Sequence, residues 1–383
     1  MSLTNRDIED LVAFRRELHR FPEISTEEAE TAKRVAAFLA DTNADEVVAG
    51  LGGHGLAFVY DSGKPGRTVL FRAELDALPI AEISDIPHRS TVAGKGHMCG
   101  HDGHMAILAA LGRQFGRRRP ATGRVVLMFQ PDEETGGGAA AVIGDPRYAA
   151  IRPDFSFSLH NLPGTPLGHV RLKQGVVNCA SRGMRIVLEG REAHSSMPET
   201  GVSPMAAISR LMPQLAALGG GTAFTRDDFA MATVTHAHMG EPVFGIAPGR
   251  GEIRVTLRTR LDARMADLCA AAEELAREAA AADGLACTID YHEIFVASLN
   301  DPEATARLAA ALDAEGVAHD GEELPMRGSE DFGAFGHGSK SAMFFLGAGV
   351  ERPNLHNPDY DFPDDLIPIA SRVFMRVARD LLG

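Results

Sequence analysis

The sequence predicts an α/β protein in which helices cover a mostly parallel sheet and an α+β domain is inserted into the chain. Three observations predict it: apolar runs that alternate with helical patterns, period-two alternation from about residue 180, and a return of the first pattern after about residue 295. Runs that are apolar at every position are typical of strands buried on both faces of a parallel sheet. Period-two alternation is typical of strands with one face in water.

The first pattern opens with an amphipathic helix over 6–19, where apolar residues recur at near-helical spacing until Phe21-Pro22 ends the helix. A second helix begins near His104, and 301–316 has a helical composition. Between and after these helices, buried strands are predicted at 68–71, 125–129, 154–159 and 343–349.

The second pattern gives the elements of the inserted domain. Alternation predicts strands at 183–190 and 252–260, and helical patterns occur at 204–217 and 266–282. Pro213 is expected to interrupt the first of these helices. The predicted domains are therefore a discontinuous one formed by 1–177 and 295–383, and an inserted one formed by 178–294.

Composition excludes several classes of protein. A chain of 383 residues with 45% apolar and 23% charged residues has the composition of an ordinary globular protein. Its net charge of -14 would repel nucleic acids and anionic lipid surfaces, so neither is an expected partner. The N-terminal segment lacks the apolar core of a secretory signal, and the four cysteines form no disulfide scaffold, so we expect a cytoplasmic protein.

Residues whose side chains are suited to catalysis or metal binding follow the predicted strands. The densest segment, 96–104, reads GHMCGHDGH and combines a thiol at Cys99 with the imidazole of His101 among other histidines. Glu133 and Glu134 come directly after the strand at 125–129. Thiolate, imidazole and carboxylate groups are metal ligands, and neighbouring carboxylates can divide metal binding and proton transfer between them.

Two single histidines, His160 and His356, also lie at the ends of predicted strands. Taken alone, each segment has an ordinary alternative: a polar loop, a solvated acidic turn or a structural histidine. The carboxyl ends of parallel strands share one edge of the sheet, which is where α/β proteins bind ligands. The occurrence of all these segments at strand ends therefore favours a metal site.

The motifs and their order resemble the zinc aminoacylase and carboxypeptidase family of co-catalytic metallopeptidases, in its hippuricase and auxin-conjugate amidohydrolase branch. The resemblance extends over nearly the whole chain. It is carried by ELHRFPEIS (17–25), FRAELDALP (71–79), CGHDGH (99–104), QPDEE (130–134), LHNLPG (159–164), GREAHSSMP (190–198), GSEDFGAF (328–335) and LHNPDYDF (355–362).

The resemblance implies a site with two divalent metal ions, zinc or else manganese, cobalt or nickel. Cys99 would bridge the two ions. Asp76 would orient a histidine ligand through a hydrogen bond. The full set of implied ligands is Cys99, His101, Glu134, His160 and His356.

The resemblance also implies the catalytic roles. Glu133 would be the general base that takes a proton from a metal-activated water. His194 would reach the active site of the partner subunit and donate a hydrogen bond to the oxyanion. The resemblance therefore implies that the inserted domain is a dimerisation or lid domain and that the protein is a homodimer. Arg258 would bind a substrate carboxylate.

Two positions depart from the family pattern. Gly245 replaces an asparagine that contributes to substrate recognition, so the resemblance leaves the usual substrate pose open at this position. Glu74 stands where the branch has aspartate. A longer carboxylate is tolerable if it only fills space, but it shifts the geometry of the site if it forms close hydrogen bonds.

The predicted function is metal-dependent hydrolysis of the amide bond of an N-acyl amino acid or a similar small amide. A dipeptidase or carboxypeptidase would use the same site, because the same chemistry cleaves either amide. A non-catalytic ligand-binding homologue is another alternative, since fold alone does not fix activity. A thiol hydrolase with Cys99 as its nucleophile is a third.

Overall fold

The computed structural model describes residues 3–220 and 223–383. Its contacts divide the chain into two compact units. The first unit consists of Met1–Val177, Ser298–Leu324 and Asp331–Gly383, and the second of Asn178–Ala297 and Pro325–Glu330. The division differs from the expected boundaries at 295–297 and at 325–330, which both belong to the second unit. Within that unit, Met326 pairs with Asn178 and Arg258 donates to the carbonyl oxygen of Arg327.

The secondary structure in chain order is as follows. The helices are α1 (Asn5–Arg20), α2 (Ala29–Leu39), α3 (His101–Arg117), α4 (Gly138–Gly144), α5 (Tyr148–Ile151), α6 (Met205–Ala217), α7 (Asp262–Ala282), α8 (Pro302–Ala314) and α9 (Leu366–Leu382). The strands are β1 (Glu46–Leu51), β2 (Gly55–Asp61), β3 (Thr68–Glu74), β4 (Arg124–Gln130), β5 (Phe155–Pro163), β6 (Val170–Arg171), β7 (Gly175–Asn178), β8 (Ala180–Glu189), β9 (Ala193–His194), β10 (Ala230–Met239), β11 (Ile246–Ala247), β12 (Arg250–Thr259), β13 (Ala286–Phe295), β14 (Ser298–Asn300), β15 (His319–Asp320) and β16 (Lys340–Gly349). Short 3-10 helices cover Ala40–Thr42, Pro198–Thr200 and Asp331–His337.

The first unit is built on a mixed sheet with the strand order β1-β2-β4-β3-β5-β16-β6-β15. Its central strands β4, β3, β5 and β16 are parallel to one another. The antiparallel hairpin of β1 and β2 extends one edge. The prediction of an α/β fold with a mostly parallel sheet is therefore confirmed, although the hairpin of β1 and β2 was not predicted.

Both faces of the central strands are covered. On β3, Phe71 packs against Phe374 of α9 with ring centroids 4.9 Å apart, whereas Arg72 on the opposite face forms an ion pair with Asp331. Asp331 also accepts a hydrogen bond from the backbone N–H of Ala139 in α4 at 2.8 Å. Burial of one phenylalanine side chain contributes ~1.5–3 kcal/mol, which favours apolar residues at most positions of these strands.

The second unit has a four-stranded antiparallel sheet with the order β10-β12-β8-β13. Ile208, Leu211 and Leu215 of α6 pack into its apolar core. The prediction that Pro213 interrupts this helix is wrong, because α6 continues through it from Met205 to Ala217. Proline removes one intrahelical hydrogen bond, and the buried apolar face of α6 offsets that loss. Among the described residues, no helix has the length and apolarity needed to cross a membrane.

Candidate metal centre

The carboxyl ends of the parallel strands carry the predicted site residues of the first unit. Asp76 follows β3, Glu133 and Glu134 follow β4, His160 lies near the end of β5, and His356 is in the segment after β16. Cys99 and His101 stand at the beginning of α3. This arrangement follows from the parallel sheet, whose strands all end at the same edge.

Gly100 gives the turn between Cys99 and His101 its shape. Its φ of 88° lies in the left-handed region, and a Cβ atom here would be 2.4 Å from Oδ1 of Asn161. Only glycine meets both conditions without strain. The two flanking side chains can therefore reach the same side of the sheet edge.

Short distances join the predicted ligands. Sγ of Cys99 is 3.5 Å from Nε2 of His160, and Nε2 of His356 is 3.6 Å from Oε2 of Glu134. Nε2 of His101 is 3.9 Å from Oε1 of Glu134. Their ligand atoms form overlapping groups in which all atoms lie within 4.8 Å of one another: Cys99 with His101 and His160, and Cys99 with Glu134 and His356. We call these five residues the donor cluster.

Two histidines of the donor cluster, the buried His101 and the half-buried His160, are oriented by backbone acceptors. Nδ1 of His101 donates to the carbonyl oxygen of Asp76 at 2.9 Å, and Nδ1 of His160 donates to that of Asn161 at 2.9 Å. A carbonyl oxygen only accepts, so each ring, when it is neutral, has its lone pair on Nε2, which faces the cluster. Nε2 of His101 and Oε1 of Glu134 are buried and have no hydrogen-bond partner among the described residues. Such orphaned acceptors fit a cation.

The electrostatics of the site also fit a cation. Burial raises the pKa of the Cys99 thiol well above its usual value, and the charges of Glu134 and Glu133 raise it further. A thiolate forms in such a place when positive charge lies beside it, as metal binding provides. Nucleophilic cysteines instead have a lowered pKa, so the environment of Cys99 disfavours the thiol hydrolase alternative.

Asp76 connects two parts of the site. Its Oδ1 lies 3.3 Å from Nδ1 of His101, and its Oδ2 accepts the backbone N–H of Glu134 at 2.9 Å. The hydroxyl of Ser25 donates to the same Oδ2 at 2.8 Å. Asp76 therefore contacts both a predicted histidine ligand and the backbone of a predicted carboxylate ligand, which is the geometry expected of an orienting residue.

The remaining predicted residues lie in the second unit. His194 of β9 pairs with Ile246 of β11, and the N–H of Ser195 donates to the carbonyl oxygen of Gly245 at 3.0 Å, so His194 and Gly245 are neighbours. Arg258 lies on β12, where burial lowers the pKa of its half-buried guanidinium and its Nη1 donates to Oγ of Ser329 at 2.8 Å. Their contributions to catalysis and substrate binding remain predictions.

Glu74 forms close hydrogen bonds rather than filling space. Its Oε2 is 2.6 Å from Nδ1 of His104, whose Nε2 is 2.6 Å from Oδ1 of Asn161. The hydroxyl of Tyr360 lies 2.7 Å from the side-chain nitrogen of Asn161. In the sequence, Glu74 is recognisable only as a departure from the family pattern, and the chain of contacts from β3 to Tyr360 was not predicted.

A buried charge cluster lies behind the first turn of α3. Asp102 forms ion pairs with Arg15 at 3.2 Å and with Nδ1 of His19 at 2.9 Å, and Nε2 of His19 is 3.2 Å from Oε1 of Glu82. Carboxylate oxygens only accept, so both ring nitrogens of His19 carry protons. This cluster explains part of the motif ELHRFPEIS, because its His19 belongs to the buried face of α1, as does Arg15 just before the motif.

Comparison with known proteins gives consistent relatives. Residues 70–380 match Peptidase family M20/M25/M40. The N-acetyldiaminopimelate deacetylase of Listeria monocytogenes serotype 4a (strain HCC23) is 26% identical over 377 residues, covering 96% of this chain and 98% of the relative. That of Anoxybacillus flavithermus (strain DSM 21510 / WK1) is 28% identical over 367 residues, covering 95% and 96%.

Solved structures have the same fold. One from methicillin resistant Staphylococcus aureus, provisionally described as an aminohydrolase, is 28% identical with a TM-score of 0.86, covering 99% of this chain and 97% of the other. The Bacillus subtilis YXEP protein, described as a dinuclear metal binding peptidase, is 24% identical with a TM-score of 0.81, covering 99% of each chain.

The family match extends over most of the chain and includes the donor cluster, Glu133 and Asp76. It confirms the resemblance inferred from the motifs, and with it the coarser prediction of a metal-dependent hydrolase of amide bonds. The chain belongs to peptidase family M20/M25/M40.

Proposed function

We propose that this protein hydrolyses the amide bond of an N-acyl amino acid, with the donor cluster holding two divalent cations and Glu133 acting as general base. The observation that carries the proposal is the pair of orphaned buried acceptors, Nε2 of His101 and Oε1 of Glu134, in a cluster that also holds a thiol and two further histidines. Buried polar atoms without a partner are costly, so their concentration at one strand edge points to a ligand.

The donor set supports zinc, manganese, cobalt or nickel, since it combines sulfur, nitrogen and oxygen ligands. Cys99 belongs to both ligand groups, so its sulfur would help to hold each of the two cations. A divalent cation bound there supplies Lewis acidity, which polarises an amide carbonyl and acidifies a water.

Glu133 is positioned for proton transfer. Its Oε2 lies 3.9 Å from Nε2 of His101, so its carboxylate borders the donor cluster. In the proposed reaction, this carboxylate accepts a proton from the attacking water and then delivers it to the nitrogen of the leaving amine. The adjacent Glu134 lies equally close to His101 and in addition has its Oε2 3.6 Å from Nε2 of His356, so we assign metal binding to Glu134 and proton transfer to Glu133.

His194 has the tautomer required of an oxyanion donor. The backbone N–H of Ser196 donates to Nδ1 of His194 at 3.2 Å, so the proton of the neutral ring is on Nε2. We propose that this Nε2–H donates to the oxyanion in the partner subunit of a homodimer. Arg258 binds the substrate carboxylate. Gly245 leaves room beside His194, because no heavy atom of the described residues, its chain neighbours aside, lies within 4 Å of where its Cβ would be.

The relatives favour an acylase over a dipeptidase or carboxypeptidase. The matched proteins from Listeria and Anoxybacillus are described as deacetylases of N-acetyldiaminopimelate, which is an N-acyl amino acid. At 26% and 28% identity, this likeness supports N-acyl amino acids as the substrate class but does not identify a particular acyl group. The proposed enzyme acts in the cytoplasm on a small N-acyl amino acid.

A substrate and metal screen tests the proposal. The purified protein is loaded separately with Zn, Mn, Co and Ni and assayed on acylated amino acids and on dipeptides. We expect hydrolysis of acylated amino acids, loss of activity with a chelator, and about two metal ions per chain by elemental analysis. Preferential hydrolysis of dipeptides, or saturable binding without hydrolysis at every metal loading, would contradict it.

Glu133→Gln tests the base separately, with Glu9→Gln on the exposed face of α1 as the matched control. Loss of general base catalysis lowers kcat by ~10²–10⁴-fold. The variant should keep its metal content, because the amide substitution leaves the donor cluster intact. A folded Glu133→Gln protein with undiminished turnover would refute the assigned role.

A further inference from the structure

The loop that carries Glu133 and Glu134 begins with a residue in an unfavourable backbone conformation. Asp132 has a φ of 56°, in the left-handed region that residues other than glycine seldom adopt. The backbone nitrogens of Asp132 and Glu134 lie on either side of Glu133. The conformation at Asp132 therefore sets the direction in which Glu133 leaves the end of β4. Such conformations persist only where surrounding contacts hold them.

A second strained residue lies in the segment before α2. Thr26 has a φ of 70°, which is especially unfavourable for a β-branched residue. One oxygen connects the two strained positions: Oε1 of Glu28 accepts the N–H of Thr26 at 2.9 Å and the N–H of Asp132 at 2.8 Å. The two donors are 106 residues apart in the sequence, so no local turn geometry accounts for the contact.

Glu28 has no other visible task among the described residues. The side chain is buried, and its second oxygen, Oε2, has no hydrogen-bond partner there. No arginine or lysine forms an ion pair with it in the described part of the chain. A buried carboxylate without a cationic partner is costly, so its presence here calls for a function.

We propose that Glu28 is a positioning residue, whose Oε1 holds Asp132 in the left-handed conformation that presents Glu133 and Glu134 to the site. This inference rests on the proposed function, because it assigns Glu28 a role in the same reaction. The adjacent backbone amide of Glu134 is held in the same way by Oδ2 of Asp76 at 2.9 Å. Two carboxylates thus fix the loop on either side of Glu133.

The acceptor oxygen, rather than the charge, is the essential feature of Glu28. Burial raises the pKa of its carboxyl group to about 7, and the nearby charge of Asp76 adds to the rise. A neutral carboxyl group or a carboxamide still accepts both N–H groups through its carbonyl oxygen. An apolar side chain of the same length leaves the N–H of Asp132 without its partner, and the backbone is then free to return to a common conformation.

Glu28→Gln and Glu28→Met form the test pair, because they have similar size and differ in the acceptor. Glu30→Gln, two residues away and exposed, is the control. At saturating metal, we expect kcat within about twofold of the original for Glu28→Gln and lowered about tenfold or more for Glu28→Met, with little change in KM. Unchanged kcat in a folded Glu28→Met protein, or an equal loss in both variants, would overturn the proposal.

Hydrogen exchange gives a second measurement that does not require turnover. In the unmodified protein and in Glu28→Gln, peptides covering 131–134 should be protected nearly as well as β4, whereas Glu28→Met should lose that protection. In the unmodified protein, the Asp132 amide should exchange more slowly than the amides of the exposed turn 62–65. If it exchanges as fast as they do, the proposal is overturned, and this result does not depend on whether Glu28→Met folds. Because exchange is independent of catalysis, absence of activity on every substrate would count against the proposed function alone.

Discussion

Raising the pH should weaken the first unit through His19. Burial alone would lower the pKa of this imidazole, but the hydrogen bonds and charges of Asp102 and Glu82 outweigh it and raise the pKa to about 9. The ordinary value is 6.5, so the folded state binds the proton more tightly than the unfolded state. The resulting stabilisation is complete below pH 6.5 and is lost as the pH rises through about 9.

The magnitude follows from the size of the shift. One pKa unit corresponds to ~1.4 kcal/mol, so a shift from 6.5 to about 9 is worth ~3 kcal/mol of unfolding free energy. The assay is urea unfolding at pH values from 6 to 10, followed by far-ultraviolet circular dichroism because the chain has no tryptophan. His19→Gln removes the titrating group, so the difference in unfolding free energy between this variant and the original protein isolates the contribution of His19.

We expect the stability difference between the original protein and His19→Gln to shrink by ~3 kcal/mol between pH 6 and pH 10. His337→Gln, at an exposed position, is the matched control and should show no such trend. A difference that stays constant over this range would refute the ionic description of the Arg15–Asp102–His19 cluster.

Three further predictions concern the site. Gly100→Ala should destabilise the protein by ~2–4 kcal/mol, because it combines a left-handed alanine with a Cβ contact at 2.4 Å; an unchanged melting temperature would contradict this. Asp76→Asn should weaken metal binding ~10–100-fold in a chelator competition, since His101 and the Glu134 amide lose their charged acceptor. Unaltered metal affinity would show that Asp76 has no orienting role. The pKa of Glu28 is raised from 4.5 to about 7, so the stability that its protonated form contributes is lost as the pH rises from 4.5 to about 7. Glu28→Gln should remove up to ~3 kcal/mol of this pH dependence of the unfolding free energy, as measured by urea titrations. An identical pH profile in the variant would argue against the burial of this group.

The sequence predicted the parts of the protein that depend on pattern. The apolar runs predicted the central strands because burial on both faces favours apolar residues at most positions. The ends of these strands predicted where Glu134, His160 and His356 would lie, because parallel strands end at one edge. The hairpin strands β1 and β2 were also missed: β1 is largely exposed and has a weak pattern, whereas β2 is an apolar run buried at all but its last position that was overlooked.

Other features depend on contacts that no local pattern records. Glu28 is one of several acidic residues in a short segment, and only burial distinguishes it from its neighbours. Its contact with Asp132 joins positions far apart in the chain. Pro213 was expected to break a helix that tertiary packing maintains, and 325–330 was assigned to the first domain because its pairing with Asn178 is not visible in the sequence.

Anomalous diffraction from crystals of the metal-loaded protein tests the central claim most directly. Data collected at the absorption edge of the bound metal should show two peaks per chain, both within coordination distance of the donor cluster, with Cys99 Sγ adjacent to each. A single peak away from Cys99, or peaks at other residues with the cluster vacant, would contradict the account.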